Sequence, residues 1–232
     1  MSNQNSKTSI VLVHGAFADG SSWNKVIPIL EAEGFTVTAV QNPLKSLADD
    51  VASTKRVIED QEGDVVLVGH SYGGAVITEA AANNPKVKAL VYVAAFAPDA
   101  GETLGGLGEK YPATPLARAL APDSAGFLYI DRSKFHEVFA HDVPADTAAL
   151  LAATQKPIAA AIFGESVKAV AWKTVPSWFV VSTQDKAINP DLERFMAKRM
   201  NAETTEINAS HVSFLSQPKV IAKIIETAAA KI

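Results

Sequence analysis

The stretch DVVLVGHSYGGAVITEAA, Asp64 to Ala81, decides how this chain folds. Val65 to Val68 is an apolar run short enough for a strand buried on both faces. A tight turn follows, Gly69-His70-Ser71-Tyr72-Gly73-Gly74, and beyond it Ala75, Val76, Ala80, Ala81 and Ala82 trace the buried face of a helix. Strand, Gly-x-Ser-x-Gly and helix together make a nucleophile-elbow pattern. The serine must occupy a sharp, strained turn for its hydroxyl to stand clear of a sheet. Small residues two before and two after it let strand and helix approach without Cβ clashes. An incidental serine in a glycine-rich βα turn is the blander alternative, and the elements on either side weigh against it. Ser71 is the candidate nucleophile.

Working outward, the 232 residues suffice for one sizeable domain with an insertion and are short for two full ones. Hydrophobic residues make up 48% and charged ones 20%, which supports a packed core and argues against disorder. The formal net charge is -4 with lysines and arginines scattered, so neither nucleic acid nor an anionic membrane is expected as a partner. Without cysteine there is no disulfide, thiol nucleophile or thiolate metal site to consider. The polar start, MSNQNSKTS, lacks a signal-peptide core, and no apolar run approaches membrane-spanning length. A soluble cytoplasmic protein, monomer or homodimer, is the expectation.

Toward the N-terminus, Ser9 to Val13 is another buried-strand run, ending in His14-Gly15-Ala16-Phe17. Asp19, Gly20, Ser21 and Ser22 offer caps for a helix from about Trp23 to Glu33, which Gly34 stops. Phe35 to Val40 reads as a strand, and Leu47 to Gln61 as a helix with Leu47, Val51, Thr54 and Ile58 on one face. Val87 to Ala95 is a further buried strand. This alternation implies a mostly parallel sheet covered on both faces. The rhythm breaks at Pro98 and resumes near Pro176 with the strand Ser177–Ser182, a helix reaching Met200, the strand Glu203–Ile207 and a final helix Gln217 to Lys231. Residues 1–97 and 173–232 therefore read as an α/β core, and 98–172 as an inserted cap. Its short helical patterns lie at Lys134–Phe139, Ala145–Thr154 and Val167–Trp172. Such an insertion lies over the strand ends, where ligands bind in α/β sheets.

A serine hydroxyl is a weak nucleophile at neutral pH and needs a base, which in turn needs an orienting group. His211, in the turn after the last strand, falls on the same sheet edge as the elbow. His14 and His70 flank backbone turns and read as structural supports. His136 and His141 in FHEVFAH are spaced one residue too long for a His-Glu-x-x-His zinc helix, so no metal is expected there. For the acid, Asp185 follows a buried strand and precedes His211 by 26 positions. A helix-capping role before Pro190 is its alternative, Asp99 is its rival, and Asp19 reads as a loop cap. Oxyanion stabilisation calls for backbone N–H groups. Tyr72 supplies one at a helix start, and Ala16 is best placed for the other. Phe17 and Trp23 are candidates to line the pocket or to serve as plain core.

These residues resemble the α/β-hydrolase superfamily, and within it the small plant methylesterase and hydroxynitrile lyase branch with its bacterial esterase-like relatives. The resemblance rests on VLVHGAFADGSSW, VVLVGHSYGG, LVYVAAFAPD, the strand end at Asp185 and SHVSFLSQP, and it spans the core but not the cap. It implies Ser71 as nucleophile, His211 as base, Asp185 as acid and an oxyanion hole at Ala16 and Tyr72. Hydroxynitrile lyases of this type tend to carry threonine at the position of Gly15, glutamate at His70 and lysine at Val212, so all three positions fall on the esterase side. A serine at position 71 counts against dehalogenases and epoxide hydrolases, which use aspartate. Thr183 and Gln184 depart from the glycine often found before the acid. The chain opens on its first core strand, without the superfamily's leading β-hairpin, which sets the expectation at about six parallel strands.

The reading that follows is a cofactor-free serine hydrolase of small carboxylic esters. Hydrolysis of a lactone or C–C bond by the same triad is one alternative. A slow-turnover ligand-sensing protein on the same scaffold is another.

Overall fold

A computed structural model describes residues 8–232. Nine strands and nine α-helices are assigned among these residues. In the N-terminal half they are β1 (Ser9–Val13), α1 (Ile27–Ala32), β2 (Thr36–Val40), α2 (Leu47–Glu59), β3 (Val65–His70), α3 (Gly73–Ala80) and β4 (Val87–Val93). The middle holds α4 (Leu104–Gly108), β5 (Leu120–Pro122), β6 (Phe127–Ile130), α5 (Phe135–Phe139), α6 (Ala145–Thr154) and β7 (Ile158–Ala159). The chain closes with β8 (Ser177–Ser182), α7 (Pro190–Arg199), β9 (Glu203–Ile207), α8 (Ser213–Ser216) and α9 (Pro218–Ala229).

Six strands form one sheet in the order β2-β1-β3-β4-β8-β9, and every pairing is parallel. Burial explains the sequences. β1 and β3 are buried at every residue, as an interior parallel strand covered on both faces requires. Edge strand β9, ETTEI, buries only Ile207. From β1 the chain steps outward to β2, then crosses back over β1 to β3 and continues the other way. With right-handed crossovers, that reversal sends α1 and α2 to opposite faces. α9 packs with α1 and against β3, β4 and β8, while α2 and α3 pack together against the other face. The order reverses between β1 and β3, which opens a crevice at their C-terminal ends. The loop after β1 and the elbow after β3 meet there, side by side.

The elbow is as tight as its composition suggests. A Cβ at Gly69 would lie 2.7 Å from the carbonyl oxygen of Gly73, and one at Gly73 would lie 2.5 Å from that of Val13. Ser71 takes φ 54°, a left-handed conformation that costs an L-residue about 1–3 kcal/mol.

Two helical expectations are corrected. Trp23 to Glu33 is not one helix. Asp19 caps a short 3-10 turn at Gly20–Trp23, and α1 begins only at Ile27, where Pro28 suits a first helical turn. Val167–Trp172 is extended rather than helical, because Val167 exchanges backbone hydrogen bonds with Gly101 and Glu102. Only Ala171–Lys173 coils there, as a 3-10 turn. The middle segment also holds a small antiparallel sheet, β5-β6-β7, that the helical patterns did not signal. Among the described residues no helix is long and apolar enough to cross a membrane.

Gly69→Ala is expected to cost about 1–3 kcal/mol, because the new methyl meets backbone that cannot yield. Gly108→Ala, at an open position in α4, gains up to about 1 kcal/mol from helix propensity. Thermal unfolding of the two variants checks this, at about 2–4 °C of Tm per kcal/mol.

Candidate active site

Ser71 stands at the top of the sheet with 8% of its surface exposed. Its left-handed backbone is held from both sides. Its N–H donates to the Val93 carbonyl at 3.3 Å, and its own carbonyl accepts from Phe96 N–H at 3.0 Å. β4 and the residues after it therefore clamp the turn that β3 presents.

His211 is buried in the loop between β9 and α8. Its Nδ1 lies 2.5 Å from Asp185 Oδ2. A carboxylate can only accept, so this contact puts an N–H on Nδ1 and commits that nitrogen to Asp185. Asp185 is itself fixed, since its Oδ1 accepts from the N–H groups of Ala187 at 2.6 Å and Ile188 at 2.9 Å. The cap of α7 is Asn189, not Asp185. The rival Asp99 lies elsewhere, paired with Lys173, whose hydrogen bond holds its carboxyl below the usual range.

His14 and His70 brace the surroundings. The His70 Nε2–H donates to the His211 carbonyl at 2.9 Å, and its ring lies 4.6 Å from the His211 ring. Burial, reinforced by His211, holds the His70 ring well below its ordinary pKa, so it stays neutral behind His211. His14 accepts from Asn42 N–H at 3.0 Å, and burial lowers its pKa to about 4. His136 bonds the Val143 carbonyl at 3.0 Å, away from the elbow. Among the described residues no group of three or more His, Asp or Glu converges as a metal site would require.

Ser71, His211, Ala16, Phe17 and Tyr72 line one cavity of about 60 Å³. Neither the Ala16 nor the Tyr72 N–H has a hydrogen-bond partner within the described residues. Phe17 forms part of the wall and, like Ser71, takes a positive φ, 61°. Trp23 lies behind instead, tilted against Phe214 at 4.6 Å and edge-on to His70, as core. Gly15 is required where it stands: a Cβ there would come within 2.7 Å of the Ser71 Cβ. The threonine that hydroxynitrile lyases tend to carry at this position would collide with the serine itself.

Several contributors escaped the sequence reading. Tyr72 O–H donates to Asp50 Oδ2 at 2.6 Å, and the other Asp50 oxygen accepts from Leu44 N–H at 2.8 Å. The signal was present, because Asp50 precedes Thr54 by one helical turn on the face of α2 assigned to the core. From the middle segment, Leu116, Phe139 and Phe163 close over the cavity. Phe139 packs on the His211 ring at 5.0 Å, and Asp142 accepts from Ser210 N–H at 2.7 Å and Ser216 O–H at 2.8 Å. Two larger cavities adjoin. One of about 300 Å³ shares Phe17 and Phe139 with the small one, and one of about 460 Å³ shares Phe96, Leu116, Phe163, Ala187 and Ile188.

Comparison with known proteins agrees with this architecture. Residues 10–224 match the alpha/beta hydrolase family. Salicylic acid-binding protein 2 of Nicotiana tabacum is 30% identical over 94% of this chain and 96% of its own length. A pyrethroid hydrolase of Sphingobium wenxiniae is 30% identical over 94% of this chain and 86% of its own. The crystal structure of polyneuridine aldehyde esterase superposes with a TM-score of 0.83 at 20% identity, covering 96% of this chain and 99% of the other, a likeness of fold. A serine on a strained elbow, set at the reversal of a parallel sheet, is thus joined to a family match spanning almost the whole chain, and the chain belongs to the alpha/beta hydrolase family.

Proposed function

We propose that the protein hydrolyses carboxylic esters through an acyl-enzyme, with Ser71 as nucleophile, His211 as base and Asp185 as acid. The observation that carries the reading is the Asp185–His211 hydrogen bond at Nδ1, with His211 and Ser71 lining one cavity. Ser71 Oγ attacks the carbonyl carbon as its proton passes to His211 Nε2. The tetrahedral oxyanion sits against the N–H groups of Ala16 and Tyr72, each such donor contributing about 3 kcal/mol to the transition state. Collapse breaks the C–O bond, and His211 returns the proton to the leaving alcohol. Water, deprotonated by His211, then attacks the acyl carbon and frees the acid and Ser71. Esterase and hydrolase names among the relatives, a methylesterase of Arabidopsis thaliana included, support the same reaction class.

Residues 98–172 act in this reading as a cap that keeps bulk water from the acyl-enzyme. The cavity layout also favours a substrate wider than a simple methyl ester. The 60 Å³ cavity shares the walls Phe17 and Phe139 with one larger cavity, and Leu116 and Phe163 with another. A scissile carbonyl at Ser71 with an apolar group on each side fills both.

Ser71→Ala is expected to lower kcat/KM on 4-nitrophenyl esters by about 10⁴-fold or more. Asp185→Asn should lose about 10⁴-fold in kcat, while Asp99→Asn stays near wild type. Equal trace activity in wild type and Ser71→Ala would sink the ester-hydrolase reading and turn attention to a ligand sensor.

Esters extended on one side only can separate the two lobes. Ala117→Trp, in the larger cavity, and Leu151→Trp, in the other, are each expected to cut kcat/KM about tenfold or more for one extension and spare the other. Identical effects on both series would show that only one lobe receives substrate.

A further inference from the structure

Glu193 is a charged residue type with 0% exposure, and the mechanism above leaves it unused. It projects from α7 toward the end of β8. Its Oε2 accepts from Ser182 N–H at 3.1 Å, while its Oε1 is buried with no donor within reach. The group beside it is Asp185, whose N–H bonds back to the Ser182 carbonyl at 3.0 Å. Two buried carboxyls therefore share one pocket. Asp185 receives three donors, from Ala187, Ile188 and His211, whereas Glu193 receives one.

That imbalance decides where the proton goes. Both carboxyls are buried and both residues bond the Ser182 backbone, Glu193 at its N–H and Asp185 at its carbonyl, and neighbouring buried carboxylates do not both ionise. Arg194, on the same helix, is engaged at the surface by Asp191 and Glu206, and His211 bonds Asp185. Negative charge settles on the better-solvated Asp185, and the proton settles on Glu193. Burial and then the charge of Asp185 push the Glu193 carboxyl well above its ordinary range, in the same direction. A protonated Glu193 turns its donorless oxygen into a hydroxyl.

We propose that Glu193 is a positioning residue for the catalytic acid: a neutral carboxylic acid whose O–H donates to Asp185 and holds the carboxylate that orients His211. This rests on the reading of Asp185 as the acid of the triad. Glutamine preserves the arrangement, since its C=O accepts from Ser182 and its NH₂ donates to Asp185. Leucine preserves only the volume.

The test compares wild type, Glu193→Gln and Glu193→Leu by thermal unfolding from pH 5 to 9 and by turnover of a 4-nitrophenyl ester. A carboxyl whose folded pKa is raised contributes stability that is complete below its unfolded value, about 4.3, and is lost as pH climbs toward the folded one. Glutamine does not titrate. The Tm of Glu193→Gln minus that of wild type should therefore increase steadily from pH 5 to 9. Glu193→Leu should lose about 10- to 100-fold in kcat with KM little changed, and Glu193→Gln should restore most of that loss. A Tm difference that is flat across pH would overturn the proposal, as would a folded Glu193→Gln no more active than Glu193→Leu. If no form hydrolyses esters, wild type included, the ester reading fails on its own, and the Tm series still decides whether Glu193 carries the proton.

Discussion

Everything in this molecule depends on holding one residue, Ser71, in a backbone conformation that it resists. A positive φ at a serine is unfavourable, and it persists only where surrounding structure over-determines it. Here the determinants are the bonds from β4 and Phe96, the contact of Gly69 with Gly73, and the absence of a side chain at Gly15. The Gly69–Gly73 contact is the elbow's own, while the bonds from Val93 and Phe96 and the approach of Gly15 need the parallel sheet already assembled. The strain thus belongs to the tertiary fold, and the fold's stability is what keeps the hydroxyl presented.

Much of this was legible in the sequence because it is local. Buried parallel strands read as unbroken apolar runs, and Val65–Val68, Ile10–Val13 and Ala89–Val93 do so plainly. The elbow glycines declare a close approach that no other residue permits. Asp185 and His211 were legible for a different reason: each follows a strand of the same sheet, so the topology brings them to one edge. The middle segment was not legible. Its elements are short, β5 and β7 being three and two residues long, and they owe their form to contacts with distant chain. Val167 followed its helical spacing on paper, yet its backbone found partners at Gly101 and Glu102.

The acids that sequence reasoning passed over share one physical trait. Asp50 and Glu193 are buried charged types on helices, each one turn away from apolar residues, and each acts through a neighbour of the proposed chemistry. Asp50 fixes the ring of Tyr72, which lines the cavity. Burial raises the Asp50 carboxyl, so its ionised form depends on the donors from Tyr72 and Leu44. A buried acid survives only where its hydrogen bonds offset lost hydration, which makes its position a record of what it holds. Helical periodicity detects the face and cannot detect the partner.

The middle segment does more than roof the cavity. Phe139 packs against the His211 ring, and three residues later Asp142 binds Ser210 and Ser216, which bracket His211 in sequence. Phe139 also meets Phe17 edge-on at 6.2 Å, beside the Ala16 N–H. One stretch, Phe135 to Asp142, therefore touches the base, the loop that carries it and the loop of the proposed oxyanion hole. A ligand that displaces Phe139 from the wall shared by the two cavities presses on the same residues that set the base in place. Substrate shape and the geometry of proton transfer are consequently not independent variables here. On the proposed mechanism, a bulkier group in the lobe past Phe139 bears both on what binds and on where the His211 ring sits. Specificity in this protein is thereby a property of the whole wall around the base, with Phe139 as the point where cavity and chemistry meet.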